Sequence, residues 1–188
     1  MKIGLFGGTF NPIHVGHLIV ANAAANLMDL DKVLFIPAMV NPFKQNEKES
    51  TDYNIRCEMI RLAIKDNDKL GLSLIQQSLP IPSYTIDTLR LLKDNDEGND
   101  YVLIIGSDLL YSLNQWKDYQ EIINNYEIYY YERLGFDLFN VKFKNIESSV
   151  VDISSTLIRK LIKEDKDIKY LVPDSVISLI KKHKLYKK

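Results

Sequence analysis

The sequence contains little cysteine, glycine or proline, and long apolar runs are missing. The single cysteine, Cys57, cannot form an internal disulfide and is typical of a reducing compartment, so we expect a cytoplasmic protein. Eight glycines and six prolines in 188 residues are too few for a fibrous or low-complexity chain. The apolar run Ile3–Phe6 is shorter than the ~7 to 15 residues of a secretion signal, and no segment approaches a membrane span. We therefore expect no contact with a membrane.

An excess of charge of one sign is likewise absent. The 24 lysine and arginine residues nearly balance the 25 aspartate and glutamate residues, so the molecule lacks the overall field that would hold nucleic acid. Hydrophobic residues make up 46% and charged residues 26%, which is typical of a folded globular protein. At this length we expect one domain over residues 1–188, with a small helical part at about 154–188. A homo-oligomer is compatible with the sequence.

Short apolar segments alternate along the chain with segments of helical periodicity. The short segments are apolar throughout, which indicates a sheet that is covered on both faces. This pattern predicts an α/β fold, with a Rossmann-like, doubly wound, mostly parallel sheet and helices on both of its faces. The predicted strands are Ile3–Phe6, Val33–Ile36, Leu72–Ile75, Tyr101–Ile105, Glu127–Tyr131 and Val150–Val151. The predicted helices are Leu18–Leu30, Asn54–Ala63, Ile86–Leu92, Tyr119–Ile123, Leu157–Ile162 and Val176–Ile180.

A glycine-rich loop, Gly7–His17, follows the first predicted strand and leads into a helix. Gly7 and Gly8 can adopt positive φ and let the backbone approach a ligand closely. The start of a helix offers unpaired N–H groups and a partial positive charge, which favour an anion such as a phosphate. His14 and His17 are three residues apart at this helix start, where both imidazoles could donate to one phosphate, and Gly16 leaves room between them. We interpret the loop as a phosphate-binding site.

Other interpretations of this loop fit less well. The dinucleotide-binding pattern G-x-G-x-x-G and the Walker pattern Gly-Lys-Ser/Thr are both missing. Two histidines at this spacing also occur in zinc sites, but a catalytic zinc needs a third protein ligand, and no cysteine or acid is suitably spaced. We therefore predict no metal ion held by the chain itself. Histidines that only cap the helix or pack against it remain the alternative.

A second anion-binding segment is predicted near the C-terminus. Ser154, Ser155 and Thr156 are good N-cap residues and precede a helical pattern. The start of this helix contains no acid and instead presents Arg159 and Lys160. Positive side chains are unfavourable at the positive end of a helix dipole unless an anion lies between them. A plain cap followed by a surface arginine is the alternative.

Two further residues are candidates for contacts with a nucleotide. Asp108, in Gly106-Ser107-Asp108, directly follows the predicted strand Tyr101–Ile105, where its carboxylate can accept hydrogen bonds from ribose hydroxyls or cap a helix. Trp116, the only tryptophan, has polar neighbours, which indicates a partly exposed ring that can stack on a flat aromatic substrate. Burial of the ring in the core is the alternative.

Two segments of the chain resemble the signatures of one enzyme family. Residues 7–17 are similar to the H-x-G-H signature of nucleotidyltransferases, in the form G-G-x-F-x-P-x-H-x-G-H of the bacterial nicotinate-mononucleotide adenylyltransferases. Residues 153–159, I-S-S-T-L-I-R, resemble the second signature of these enzymes, which holds the ATP phosphates. Class I aminoacyl-tRNA synthetases share the short H-x-G-H element, but they are much longer and have a lysine-rich second signature that we do not find here.

The resemblance implies a set of site residues, of which His14, His17, Lys44 and Arg159 would be catalytic. Phe43 stands where the family often has a histidine before the lysine, and Arg133 lies in a segment that departs from the family's R-P-G. The residues implied to bind ATP are Gly7, Gly8, Thr9, Phe10, Gly16, Gly106, Asp108, Ile153, Ser154, Ser155, Thr156 and Arg159. Those implied to bind the second substrate are Asn11, Lys44, Tyr84, Thr85, Asp108, Trp116 and Arg133.

The implied reaction transfers AMP from ATP to nicotinate mononucleotide and releases pyrophosphate, a step of NAD biosynthesis. The phosphate of the acceptor attacks the α-phosphorus of ATP in line, so no covalent enzyme intermediate is needed. Mg²⁺ would be held largely by the ATP phosphates and water. The open alternatives are another acceptor (nicotinamide mononucleotide, phosphopantetheine, or a cytidylyl acceptor with CTP) and a nucleotide-binding sensor without turnover.

Overall fold

The computed structural model describes residues 1–40, 51–136, 142–149 and 151–187. The strands in these ranges are β1 (Lys2–Gly8), β2 (Lys32–Pro37), β3 (Leu70–Leu72), β4 (Asp100–Gly106), β5 (Glu127–Tyr131) and β6 (Lys144–Asn145). The α-helices are α1 (Val15–Leu27), α2 (Tyr53–Ile64), α3 (Thr85–Asn95), α4 (Ser107–Leu110), α5 (Tyr119–Asn125), α6 (Ser155–Lys163) and α7 (Asp174–Lys182), and 3₁₀ helices span Ile75–Ser78 and Leu113–Gln115. Within these ranges no helix has both the length and the apolar content needed to cross a bilayer.

The six strands form one sheet in the order β3-β2-β1-β4-β5-β6, and neighbouring strands run parallel. β1 pairs with β2 on one side and with β4 on the other, so the winding of the chain reverses at β1. This arrangement confirms the predicted Rossmann-like, doubly wound α/β fold. In open sheets of this kind a crevice forms at the carboxyl ends of the two strands where the order reverses, here β1 and β4.

Helices cover both faces of the sheet, as predicted. Successive side chains of a strand point to opposite faces, and β1 shows the consequence. Phe6 belongs to an apolar cluster with residues of α1, α2, α6 and α7, among them Ile60 and Ile158. Leu5 belongs to a second cluster with residues of α3 and α5, among them Leu89 and Ile122. The two clusters define what we call the α1 face and the α3 face.

Two predicted strands are wrong in position. The third strand is Leu70–Leu72, not Leu72–Ile75, because the backbone turns after Ser73, whose hydroxyl accepts a hydrogen bond from the Ile75 N–H (3.3 Å). The sixth strand is Lys144–Asn145, whose two polar residues pair with β5 at the edge of the sheet and give no apolar signal. Val151 lies outside the strands, and Val150 lies outside the described residues.

Candidate active site

The Gly7–His17 loop and the 153–159 segment meet beside the carboxyl end of β1. Arg159 Nη1 donates a hydrogen bond to the carbonyl oxygen of Asn11 (2.9 Å). Ser155 Oγ donates to the carbonyl oxygen of Pro12 (2.8 Å). The two segments that resemble family signatures are thus brought together across more than 140 residues of sequence, as the two-motif interpretation requires.

A polar cavity of about 130 Å³ lies on the α1 face at the start of α1. We call it the histidine cavity, because His14 and His17 line it together with Gly16. Its walls also include Asp108 and Arg133, which follow β4 and β5. The 153–159 segment contributes Ile153, and the acids Glu132 and Asp152 lie on the same walls.

The two imidazoles stack on each other within the histidine cavity. Their ring centroids lie 3.6 Å apart at an interplanar angle of 25°. The backbone N–H of His14 donates to Nδ1 of His17 (3.2 Å), so a neutral His17 carries its proton on Nε2. Phe10 meets the His17 ring edge-on with a centroid separation of 5.0 Å. These contacts fix both the tautomer and the orientation of His17.

Both histidines are neutral at pH 7. His14 is only 6% exposed, and desolvation, assisted by the positive charge of Arg133, lowers its pKa to about 4. Burial also holds the pKa of His17 well below its usual range, with smaller contributions from His14 and Arg133. His17 therefore offers a single uncharged N–H donor.

Asp108 and Arg133 approach each other where β4 and β5 end. Oδ2 of Asp108 lies 3.4 Å from Nη1 of Arg133, while Oδ1 is buried without a hydrogen-bond partner among the described residues. The backbone N–H of Arg133 donates to Oγ of Ser107 (2.9 Å). A side chain at Gly106 would collide with Asp108 Oδ1. Arg133, expected on the side of the second substrate, thus lies on the wall of the histidine cavity.

A larger and mostly apolar cavity of about 350 Å³ lies on the α3 face. We call it the tryptophan cavity, because Trp116 lines it together with Tyr84 and Thr85. Trp116 is half-buried and its Nε1 has no hydrogen-bond partner among the described residues. Gly7 and Gly8 form the wall at the end of β1. Trp116 is thus partly exposed, as expected, and the alternative of core packing also holds in part, because the ring packs against the α3-face cluster.

The sequence did not reveal a buried polar network behind the tryptophan cavity. Nε2 of Gln76 donates to Oγ1 of Thr88 (2.6 Å), and Oγ of Ser83 donates to Oε1 of Gln76. All three residues are at most 7% exposed and line the cavity. Thr88 is the one member of this network that the sequence could have indicated, because it lies three residues after Thr85 and therefore on the same side of α3.

The glycines of the loop act differently from the prediction. Neither Gly7 nor Gly8 has a positive φ; the residue with one is Phe10, at 50°. A Cβ on Gly8 would come within 2.8 Å of the Phe10 ring, whereas a Cβ on Gly7 would meet nothing within 4 Å. Gly8 therefore provides space for an aromatic ring, and Gly7 leaves the tryptophan cavity open.

Three residues that were expected to touch ligands lie behind the cavities. Phe10 and Asn11 are only 2% and 5% exposed, and neither lines a cavity wall. Thr9 accepts a hydrogen bond through its carbonyl oxygen from Nη1 of Arg56 (2.7 Å). These residues shape the loop, and direct contacts from them to a ligand remain predictions.

The second segment forms the start of α6. Oγ of Ser154 accepts a hydrogen bond from the Leu157 N–H (3.2 Å), and Oγ1 of Thr156 accepts one from Nη2 of Arg159 (3.3 Å). Ser154 caps α6, as the alternative also expected, while Arg159 is half-buried and bonded to Asn11 rather than fully solvated. The predicted position of Lys160 at the start of the helix is wrong. Lys160 lies in the last turn of α6, where a positive charge is favourable.

Lys44 and Phe43 lie outside the described residues, so the role of Lys44 remains a prediction.

Although Asp108, Glu132 and Asp152 share the histidine cavity, no group of three or more His, Cys, Asp or Glu side chains in the described ranges is arranged to hold a metal ion.

A family model described as cytidylyltransferase-like matches residues 5–161 of the chain. The chain belongs to the cytidylyltransferase-like family. Within this family, the probable nicotinate-nucleotide adenylyltransferase of Cytophaga hutchinsonii is 43% identical over 190 residues, which cover 99% of this chain and 98% of the relative. The nicotinate-nucleotide adenylyltransferase of Bacillus subtilis is 37% identical over 188 residues, which cover 98% of both chains. These relatives confirm the resemblance inferred from the two motifs.

A solved structure has the same fold as this cytidylyltransferase-like chain. The Plasmodium falciparum nicotinic acid mononucleotide adenylyltransferase complexed with NaAD superposes with a TM-score of 0.83 at 22% identity, over 98% of this chain and 97% of the other. At this level of identity the likeness concerns the fold alone.

Proposed function

We propose that the chain is a nicotinate-nucleotide adenylyltransferase, which transfers AMP from ATP to nicotinate mononucleotide. A phosphate oxygen of nicotinate mononucleotide attacks the α-phosphorus of ATP, the bond from that phosphorus to the bridging oxygen breaks, and pyrophosphate leaves. The products are nicotinate adenine dinucleotide and pyrophosphate, and this step belongs to NAD biosynthesis. The names and full-length similarity of the curated relatives support this assignment.

The observation that carries the proposal is the pair of cavities that flank the carboxyl end of β1. The tryptophan cavity, with an aromatic ring and the hydroxyl of Thr85 on its walls, suits a flat pyridine ring that bears a carboxylate. The histidine cavity, at the start of α1, suits the phosphates of ATP. A reaction between two phosphates requires the two substrates to meet, and both cavities reach the end of the same strand.

His14 and His17 act by donating hydrogen bonds to phosphate oxygens. The acceptor phosphate is already an anion, so the chain needs no general base and chiefly has to align two anions and stabilise the charge that develops between them. His17 Nε2 donates in this role, because its Nδ1 is occupied by the backbone of His14. Arg159, which already joins the two segments, supplies positive charge beside the same loop, and Lys44 supplies a further cation.

Magnesium enters this proposal as part of the ATP complex. The cavity acids form no three-ligand cluster, so the described residues suit an ion that is held by phosphate oxygens and water rather than by the chain. Such an ion neutralises phosphate charge when it is bound. Asp108, whose Oδ1 is buried and unpaired among the described residues, accepts hydrogen bonds from ribose hydroxyls.

The test is a comparison of acceptors. Purified protein is incubated with ATP and Mg²⁺ and with nicotinate mononucleotide, nicotinamide mononucleotide or phosphopantetheine, and both pyrophosphate and the adenylylated product are measured. We expect the highest kcat/KM with nicotinate mononucleotide. A higher value with another acceptor would reassign the substrate, and ATP binding without pyrophosphate release from any acceptor would indicate a nucleotide sensor.

A further inference from the structure

The segment Thr9–Pro12 joins the end of β1 to His14, and side chains from remote parts of the chain hold it in place. We call this segment the Thr9–Pro12 turn. Its carbonyl and amide oxygens accept hydrogen bonds from α2, from α6 and from the residues that follow α7. Two of the donors, Arg56 and Tyr186, belong to neither of the two segments that resemble family signatures.

Arg56 lies in the first turn of α2 and is only 1% exposed. Its guanidinium donates to the carbonyl oxygens of Thr9 (2.7 Å), Thr51 (3.0 Å) and Ala38 (2.9 Å). A buried cation is unfavourable unless hydrogen bonds compensate for the lost water. This side chain therefore connects the turn to the chain that leaves β2 and to the start of α2. A lysine has one compact ammonium group and cannot reproduce the planar fork.

Tyr186 reaches the turn from the C-terminal tail. Its hydroxyl donates to Oδ1 of Asn11 (2.6 Å), and burial raises the pKa of this phenol to about 12, so it remains a donor at physiological pH. The tail is brought there by the backbone, because the Leu185 N–H donates to the carbonyl oxygen of Ile180 (3.0 Å) after the end of α7. Leu185 and Tyr186 also pack against the α1-face cluster.

The consequence of these contacts lies two residues further along the chain. The turn ends at Pro12, and His14 stacks on His17 and supplies the N–H that fixes its tautomer. Phe10, within the turn, has a positive φ and packs edge-on against His17. A bulky residue adopts positive φ only where surrounding contacts enforce it. Displacement of the turn would therefore displace both imidazoles.

We propose that Arg56 and Tyr186 are positioning residues that hold the Thr9–Pro12 turn, and through it His14 and His17, in the geometry needed for AMP transfer. Neither residue lines the histidine cavity or the tryptophan cavity, so both act through the turn. The expected effect on AMP transfer rests on the proposed function, whereas the expected effect on the position of the Thr9–Pro12 turn does not.

The variants Tyr186→Phe and Arg56→Lys test the proposal. Each has a control with the same chemical change: Tyr170→Phe alters a tyrosine that is 82% exposed, and Arg61→Lys alters an exposed arginine of the same helix as Arg56. For each protein we would measure kcat, KM for both substrates, the melting temperature, and hydrogen exchange of peptides that cover residues 9–17.

We expect kcat to fall about tenfold in Tyr186→Phe and by more in Arg56→Lys, because small displacements of catalytic groups have effects of this size or larger. KM should change less than twofold, since the lost geometry matters in the transition state. Exchange should become faster in residues 9–17 and stay unchanged elsewhere. Both controls should match the original protein.

A merely structural role would lower the melting temperature and leave kcat unchanged well below it. The proposal is overturned if Tyr186→Phe shows either an unchanged kcat or unchanged exchange in residues 9–17. Tyr186→Phe decides alone if Arg56→Lys does not fold. If the original protein releases no pyrophosphate, the proposed function fails, and the exchange data still decide whether the two residues hold the turn.

Discussion

His17→Asn should separate the catalytic contribution of His17 from its structural contribution. In the structure, Nδ1 accepts the backbone N–H of His14 (3.2 Å), and Nε2 is the donor proposed for phosphate. An asparagine amide oxygen can occupy roughly the place of Nδ1, but the shorter side chain has no group at the place of Nε2. We therefore expect kcat to fall by ~10²–10³, the usual effect of losing one donor to a developing charge. The melting temperature should change little.

His17→Ala is the informative comparison, because it removes both nitrogens. It should lose the same catalytic contribution and also leave the His14 N–H without its acceptor, which costs about 1 kcal/mol. In a chain of this size that loss corresponds to a melting temperature lower by roughly 2–4 °C. His17→Gln restores the donor that His17→Asn lacks, because its longer side chain brings an N–H group near the place of Nε2. It should therefore keep more activity than His17→Asn.

Steady-state kinetics with saturating ATP and nicotinate mononucleotide, together with thermal unfolding, would provide the test. A His17→Asn variant with the original kcat would show that Nε2 does not stabilise the transition state. Equal melting temperatures for His17→Asn and His17→Ala would contradict the structural half of the reasoning.

Three further predictions concern other residues of the two cavities. The pKa of His14 is about 4 in the folded protein, below its ordinary value of 6.5. Between these two pH values the unfolded chain therefore binds more protons than the folded one. The free energy of unfolding should fall as the pH drops from 6.5 to 4, by up to about 3 kcal/mol. Denaturant unfolding at pH 7 and pH 4.5 would measure this, and His14→Asn should weaken the dependence. Thr85→Val should raise KM for nicotinate mononucleotide about tenfold, through loss of a hydrogen bond to a charged group, with KM for ATP unchanged as the internal control. Asp108→Asn should raise KM for ATP at least severalfold with a smaller change in kcat; an unchanged KM for ATP would argue against a contact with ribose.

The fold could be predicted from the sequence to the extent that its strands are buried on both faces. β1, β2, β4 and β5 are continuous apolar segments because helices cover the sheet on both sides, and all four were found. β6 consists of Lys144 and Asn145 at the sheet edge, where burial imposes no apolar pattern. Its existence depends on pairing with Tyr129 and Tyr130, which is a property of the folded molecule.

The candidate site could be predicted where its residues are contiguous. His14, Gly16 and His17 form one short pattern, and their position after a strand identifies their chemistry. Arg56 carries no such signal, because a single arginine in an amphipathic helix is normally solvated. Only the folded chain shows it buried and bonded to four carbonyl groups. Tyr186 is similarly inconspicuous in the lysine-rich tail, 175 residues from its partner Asn11.

The alternation of side chains along β1 places the walls of the two cavities on opposite faces of the sheet, which would let the two proposed substrates be recognised independently. Leu5 lines the tryptophan cavity and Phe6 lines the histidine cavity, because neighbouring residues of a strand face opposite sides of the sheet. A substitution on one face therefore alters contacts with one substrate and should change one KM. Beyond the end of β1 the sheet no longer separates the two cavities, so the chain that continues there can reach both substrates, as can the chain after β4, where Asp108 lines one cavity and Leu109 the other. The residues that should change kcat rather than either KM are consequently expected between Gly7 and His17, in the side chains that hold this loop, and in the segment of Arg159 that joins it.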